Sequence, residues 1–158
     1  MVAAFGQFSA HVVGNAESNV AIRGSVRIAG DNSKGPWPGA AYIGLQQGST
    51  EDSIQIFVVL DDSGGHAIVG HRLISHGMVI KTVEQIAVER SQPLRFSIVF
   101  NNGLVLISVN DEKVITERTL LRQVAPYLSV SSGTAEFKFT VFKGDKVRST
   151  SGSKAVRS

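Results

Sequence analysis

Three histidines, His66, His71 and His76, recur every five residues and are the first side chains here that could gather a metal. A zinc site needs ligands converging from one side. On an extended strand, residues five apart point to opposite faces, so His66 and His71 diverge. His76 precedes Gly77, a turn-forming pair. Oxygen ligands are a separate case. Asp61 and Asp62, like Asp31 and Asn32, sit in turn-forming clusters, and calcium takes turn carboxylates together with backbone carbonyls. No metal and no cofactor is expected; the side reading is calcium, for which Asp61 and Asp62 would be the ligands.

Catalytic pairs are harder to find. Glycoside hydrolysis needs two carboxylates facing each other across one bond. Glu51 and Asp52 are adjacent, so a strand points them to opposite faces, and Glu84 and Glu89 also differ in parity. There is no cysteine, no Gly-x-Ser-x-Gly elbow and no Gly-x-Gly-x-x-Gly before a helix. A binding face is what remains. Arg23, Ser25 and Arg27 share one side of a strand, Glu136, Lys138 and Thr140 share one side of another, and Arg72 and Arg95 could join them. Such a face can hydrogen-bond sugar hydroxyls or pair bidentately with uronate carboxylates. Trp37, the lone tryptophan, stands between two prolines in "SKGPWPGA", a stiff loop that could present a stacking platform or plug the end of a fold.

The elements that must carry these residues are strands. In "PLRFSIVF", Leu94, Phe96, Ile98 and Phe100 alternate with more polar positions, the period of a strand with one buried face. Asn101-Asn102-Gly103 tolerates the positive φ of a hairpin turn, "LVLISV" returns, and Asn110-Asp111 turns the chain again into "KVITE". The same signature recurs at 21–28, 39–46, 53–60, 66–74 and 134–142, and in "FSAHVV" near the start. "VIKTVEQIAVER" mixes helical spacing with strand-forming residues and reads as a strand. "TERTLLRQVAP" reads as a short helix capped by Thr116 and stopped by Pro126. About ten strands cannot lie in one open sheet with a face bare to water. The fold class expected is all-β, a two-layer antiparallel sandwich.

The order of these elements resembles the concanavalin A-like jelly roll of lectins, glucanases and laminin-G-like modules. The likeness runs over roughly residues 5 to 144, through "VVLDDSGG", "RFSIVFNNGLVLISVNDEKV" and "SGTAEFKFTVFKG". Three shorter stretches resemble alginate-lyase-type jelly rolls. Arg23-Gly24-Ser25-Val26-Arg27 is similar to their Arg-x-Glu-x-Arg, Gln55-Ile56-Phe57 to Gln-Ile-His, and Glu136–Phe142 to Tyr-Phe-Lys-x-Gly-x-Tyr. The resemblance adds Gln55 to the contacts and implies a lyase shell without its catalyst. Phe57 stands where that family has histidine, Phe142 where it has the catalytic tyrosine, and Ser25 where it has glutamate. β-Elimination needs a base and an acid, and a phenyl ring is neither.

Charge narrows the partners. The chain of 158 residues carries a net charge of +3, but residues 143–158 hold five basic groups against one acid. The other 142 residues balance to −1. A body near neutrality argues against nucleic acid as a partner. The Ser-, Gly- and Lys-rich stretch 144–158 reads as a disordered tail after a domain at 1–143. No run is long and apolar enough for a membrane span, and no signal peptide is visible, so the chain reads as cytoplasmic or as an exported domain with its signal removed. The function read from the sequence is non-catalytic recognition of a carbohydrate or glycan-bearing surface through Trp37, Arg23, Arg27, Gln55 and Lys138. The alternatives are a polysaccharide-active enzyme, lyase before hydrolase, or a structural module that binds a protein partner.

Overall fold

Leu94, Phe96, Ile98 and Phe100 all turn inward, each at most 4% exposed, while Arg95, Ser97 and Val99 between them face away. That alternation, repeated strand after strand, builds the molecule. The computed structural model describes residues 8–31, 39–60, 66–89, 92–111, 114–131, 133–144 and 148–156.

Twelve strands are described. They begin with β1 (Phe8–Val12), β2 (Asn19–Asp31), β3 (Ala40–Gln47) and β4 (Ser49–Leu60). Next come β5 (His66–Ser75), β6 (Met78–Glu89), β7 (Leu94–Asn101) and β8 (Leu104–Val109). The chain ends with β9 (Ile115–Arg118), β10 (Ala125–Ser131), β11 (Gly133–Lys143) and β12 (Arg148–Val156). They form two antiparallel six-stranded sheets: β1-β10-β3-β4-β5-β6, called sheet I, and β12-β11-β2-β7-β8-β9, called sheet II. The inward residues of both sheets interleave in one apolar core, with Ile22, Ile43, Ile54, Ile98, Leu128 and Phe137 fully buried. Each such side chain contributes about 1.5–3 kcal/mol through its burial.

The turns follow their residues. Asn102 and Gly103 both hold positive φ between β7 and β8, and Asn110 and Asp111 do so after β8. Asn110 then caps the neighbouring strand, accepting the Arg95 N–H through Oδ1 at 2.9 Å. The stretch "VIKTVEQIAVER" is indeed strand, as β6. It forms an edge of sheet I, and its pairing with β5 slips twice, after Val69 and after Leu73. Bulges of this kind blunt an exposed edge against pairing with another chain.

Two segments depart from the sequence reading. The helix expected between Thr116 and Pro126 is absent: Ile115–Arg118 is strand β9, and β10 begins at Ala125. Helical preference over so short a segment is weak beside the ladder that Leu104–Ile107 offers to β9. Pro126 is tolerated because it is the second residue of its strand. The stretch read as a disordered tail carries β12, which pairs antiparallel with β11 from Ala135↔Val156 to Lys143↔Arg148. Backbone pairing makes no demand for apolar side chains, so a Ser- and Lys-rich strand can complete the edge of sheet II.

Candidate functional site

Three aromatic residues stand directly across from a glycine on the neighbouring strand. Phe139 pairs Gly24, Tyr127 pairs Gly44 and Phe57 pairs Gly70. Two of these pairs lie on the outer face of sheet I, and there the ring lies over the glycine. A Cβ on Gly44 would come within 2.5 Å of the Tyr127 ring, and one on Gly70 within 2.5 Å of the Phe57 ring. The missing Cβ atoms let both rings lie flat across the sheet. They form the floor on which the polar groups of this face are built.

Those polar groups form a chain. Tyr127 is fully buried and accepts a short hydrogen bond from the Gln55 side-chain amide. Gln55, only 4% exposed, turns its carbonyl oxygen to the Nε–H of Arg72 at 2.5 Å. The Arg72 guanidinium lies over the Tyr42 ring, 5.1 Å from its centroid. Burial pushes the Tyr127 phenol above its ordinary range; hydrogen bonds with Gln55 and Ser53 and the Arg72 charge offset only part of this. It therefore stays protonated at neutral pH. Arg72 is held on two sides by groups that a solvent-facing sheet surface does not require. Its Nε is occupied, yet among the described residues its terminal NH groups make no hydrogen bond. A planar fork so fixed is suited to two acceptor oxygens, either a carboxylate or neighbouring hydroxyls.

The residues expected from the sequence do not all meet. Gln55 belongs to this face. Arg23, Arg27 and Lys138 lie on the outer face of sheet II, one full sandwich away, with Arg95 beside them. There Arg27 pairs with Glu136 at 3.0 Å, and Arg23 bonds Ser97 at 3.3 Å while lying over the Phe142 ring. Arg72, which could have joined them, is on the opposite side of the molecule. The three lyase-like stretches are divided in the same way: Gln55 and Phe57 share one outer face, while Arg23, Arg27, Lys138 and Phe142 share the other. They cannot close on one substrate. Trp37, Asp61, Asp62 and Asn32 lie outside the described residues, and of Asp31 only the backbone is described. Among the described residues no three His, Asp or Glu groups come together as a metal site. His66 is exposed, His71 is buried in the core and His76 sits in the β5–β6 turn.

Sequence reasoning missed Tyr42 and Tyr127. Parity held the signal for both: Tyr42 and Gly44 alternate with Ile43 and Leu45, and Tyr127 and Ser129 with Leu128 and Val130. Tyr127 was hidden because its segment reads as the end of a helix. A second buried polar cluster also went unseen. His71 on β5 donates to Glu117 on β9 at 3.0 Å, and Lys81 on β6 reaches the same carboxylate at 2.8 Å, tying the two sheets together at one edge.

No protein family matches the sequence, and no curated protein is similar to it. Solved structures do match the fold. The carbohydrate-binding module CBM66 from Bacillus subtilis superposes with a TM-score of 0.59 at 14% identity, over 82% of this chain and 78% of that one. An alginate lyase from Pseudomonas aeruginosa matches at 0.52 and 14%, over 89% of this chain and 62% of its own. Scytalido-glutamic peptidase matches at 0.62 and 9%, over 91% and 88%.

The fold is a concanavalin A-like jelly roll.

At such identities the likeness establishes architecture alone. A jelly roll that serves a binding module, a lyase and a peptidase does not choose among them. Among the described residues, none forms a helix long and apolar enough to cross a membrane.

Proposed function

We propose that the protein is a non-catalytic carbohydrate-recognition module whose glycan lies on the outer face of sheet I, against Arg72 and Tyr42. The observation that carries this is the Tyr127–Gln55–Arg72 chain. Buried polar groups cost stability unless fully bonded, and here they are arranged to hold one guanidinium over an aromatic ring. Gln55 acts by positioning Arg72. Trp37 is retained as a stacking residue from the sequence, whereas Arg23, Arg27 and Lys138 serve only if a long ligand also reaches sheet II. The groups that correspond to the lyase-like catalyst do not support proton transfer: Phe57 carries no proton to give, and the Tyr127 hydroxyl on the same face is closed off from solvent.

The test is binding and product release on acidic polysaccharides (alginate, polyglucuronate, pectate) and neutral ones (β-glucan, xylan, galactan). Binding without unsaturated or reducing-end product is expected. Arg72→Ala should weaken it at least about tenfold, as the loss of charge-assisted hydrogen bonds worth roughly 1.5–3 kcal/mol implies. Arg27→Ala should leave it within about twofold, since that residue is on the other sheet and already paired. Turnover of any of these polymers, or an Arg72→Ala variant that binds as well as the native chain, would overturn the reading.

A further inference from the structure

A cleft of about 400 Å³ opens at one end of the sandwich, away from Arg72. It lies between the end of β3, the β5–β6 turn and the segment that follows β9. The volume is that of a small-molecule site. By comparison, the cleft beside Arg27 and Glu89 holds about 10 Å³, room for one water. We propose that the larger cleft is a second ligand site, and that it takes a single hydroxyl-rich sugar unit. It does not depend on the Arg72 site.

The lining chooses the chemistry. Asp52 and Arg118 both border the cleft, and among the described residues neither forms an ion pair, with the other or with anything else. An acceptor-only group and a donor-only group open to one space are both satisfied by hydroxyls, which donate and accept. The Ser75 hydroxyl borders the same space, while that of Thr119 is already engaged, donating to the Gly103 carbonyl at 2.9 Å and accepting the Leu121 N–H at 3.3 Å. Between these polar groups run aliphatic walls, with Ile80 64% exposed and Leu120 98% exposed at the rim. Such walls suit the C–H face of one pyranose or furanose ring. Among the described residues no Phe, Tyr or Trp lines the cleft, and the His76 imidazole is the one ring that borders it.

His76 supplies an independent observation. It sits at φ 52 in the two-residue turn His76-Gly77, a left-handed conformation that suits Gly best and that Asn, Asp and His adopt more readily than other side chains. The chain uses Asn102 and Asn110 for the same conformation elsewhere. The turn is already held by other groups: Asp52 accepts the His76 N–H at 3.1 Å, and Glu51 accepts the Gly77 N–H at 3.0 Å. The imidazole, with Nδ1 3.0 Å from Ser75 Oγ, is not needed to make the turn. An imidazole that the turn does not require, held against Ser75 at the edge of the cleft, is placed where it can contact a ligand.

Backbone amide NMR of the full chain, titrated with galactose, glucose, mannose, fucose and glucuronic acid, tests this. At least one sugar should shift the amides of His76, Gly77, Arg118 and Thr119 while leaving Arg72 unmoved. Asp52→Asn keeps an oxygen for the His76 N–H but drops the charge; it and Arg118→Ala should each weaken binding about fivefold to tenfold. His76→Asn should raise the melting temperature and lower affinity together, which a purely structural histidine would not do. Arg72→Ala should leave this cleft's affinity unchanged, so failure here and failure of the sheet I site are read separately. The proposal is overturned if no sugar of the panel moves these amides, or if the Asp52 and Arg118 variants bind like the native chain. It is equally overturned if His76→Asn gains stability with no loss of affinity.

Discussion

Glu117→Ala should destabilise the protein by about 2–4 kcal/mol and lower its melting temperature by roughly 5–15 °C. Glu117 is 8% exposed and holds both His71, which is fully buried, and Lys81. Removing the carboxylate takes away the acceptor of the His71 ring N–H in the interior and the ion-pair partner of Lys81. The lower half of the range is favoured because the Lys81 side chain is about half exposed, where water can replace the lost bond. β9 is only four residues long and, among the described residues, pairs with β8 alone, so the cluster is a principal tie between that edge and sheet I. Denaturant unfolding of Glu117→Ala and Glu117→Gln measures the effect. A loss under about 0.5 kcal/mol, the scale of a surface pair, would show that the cluster does not bind the sheets together.

The same group sets a pH dependence. Burial alone would raise the Glu117 pKa, but hydrogen bonds from Lys81 and His71, and their charges, outweigh it and hold the carboxyl below its ordinary range. A lowered folded-state pKa means that the contribution is fully present above the unfolded value, near 4.3 for a free glutamate. It is lost as pH falls through the folded value. Native protein should therefore lose stability on acidification below about pH 4.5 more steeply than Glu117→Gln, which has no such proton to bind. Parallel slopes for the two would remove Glu117 from the account.

Gly24→Ala should be comparably severe, about 3 kcal/mol or more, though it adds one methyl group. A Cβ at Gly24 would fall 1.9 Å from the Lys138 carbonyl oxygen and 2.8 Å from the Phe139 Cα. Both are backbone atoms of β11 in the middle of sheet II, so relief requires the strands to part. Gly44 is a useful contrast. There the nearest atoms are those of the Tyr127 ring, a side chain. Gly44→Ala should destabilise less but tilt that ring, disturb Gln55 and weaken any ligand held by Arg72. Thermal unfolding of the two variants orders them, and a Gly24→Ala variant as stable as the native chain would show that β2 and β11 can spread at little cost.

Much of the architecture was legible because its causes are local. Alternation in Leu94–Phe100 tells which side chains turn inward, and Asn102-Gly103 has the φ preferences that a tight turn demands. The two-layer answer follows from arithmetic on apolar faces: many half-buried strands must cover one another. Tyr127 was lost for an equally local reason, since Leu120, Leu121 and Pro126 imitate a helix and its stop. Only partners distant in the chain, β1 and β3, make that stretch a strand.

The candidate site was legible only in half. Alternation shows that Gln55, Arg23, Arg27 and Lys138 all face away from the core, and the sequence by itself determined that much. A sandwich has two outer faces, and nothing in a strand's own residues records which sheet it will join. That choice depends on pairings across long stretches of chain, such as β2 with β7 and β11, which set Arg23 and Gln55 back to back. Tertiary structure alone brought Arg72, Gln55, Tyr42 and Tyr127 together from four strands, and His71, Lys81 and Glu117 from three. Their union depends on strand register and on the space left by Gly44 and Gly70, quantities that exist only once both sheets are closed.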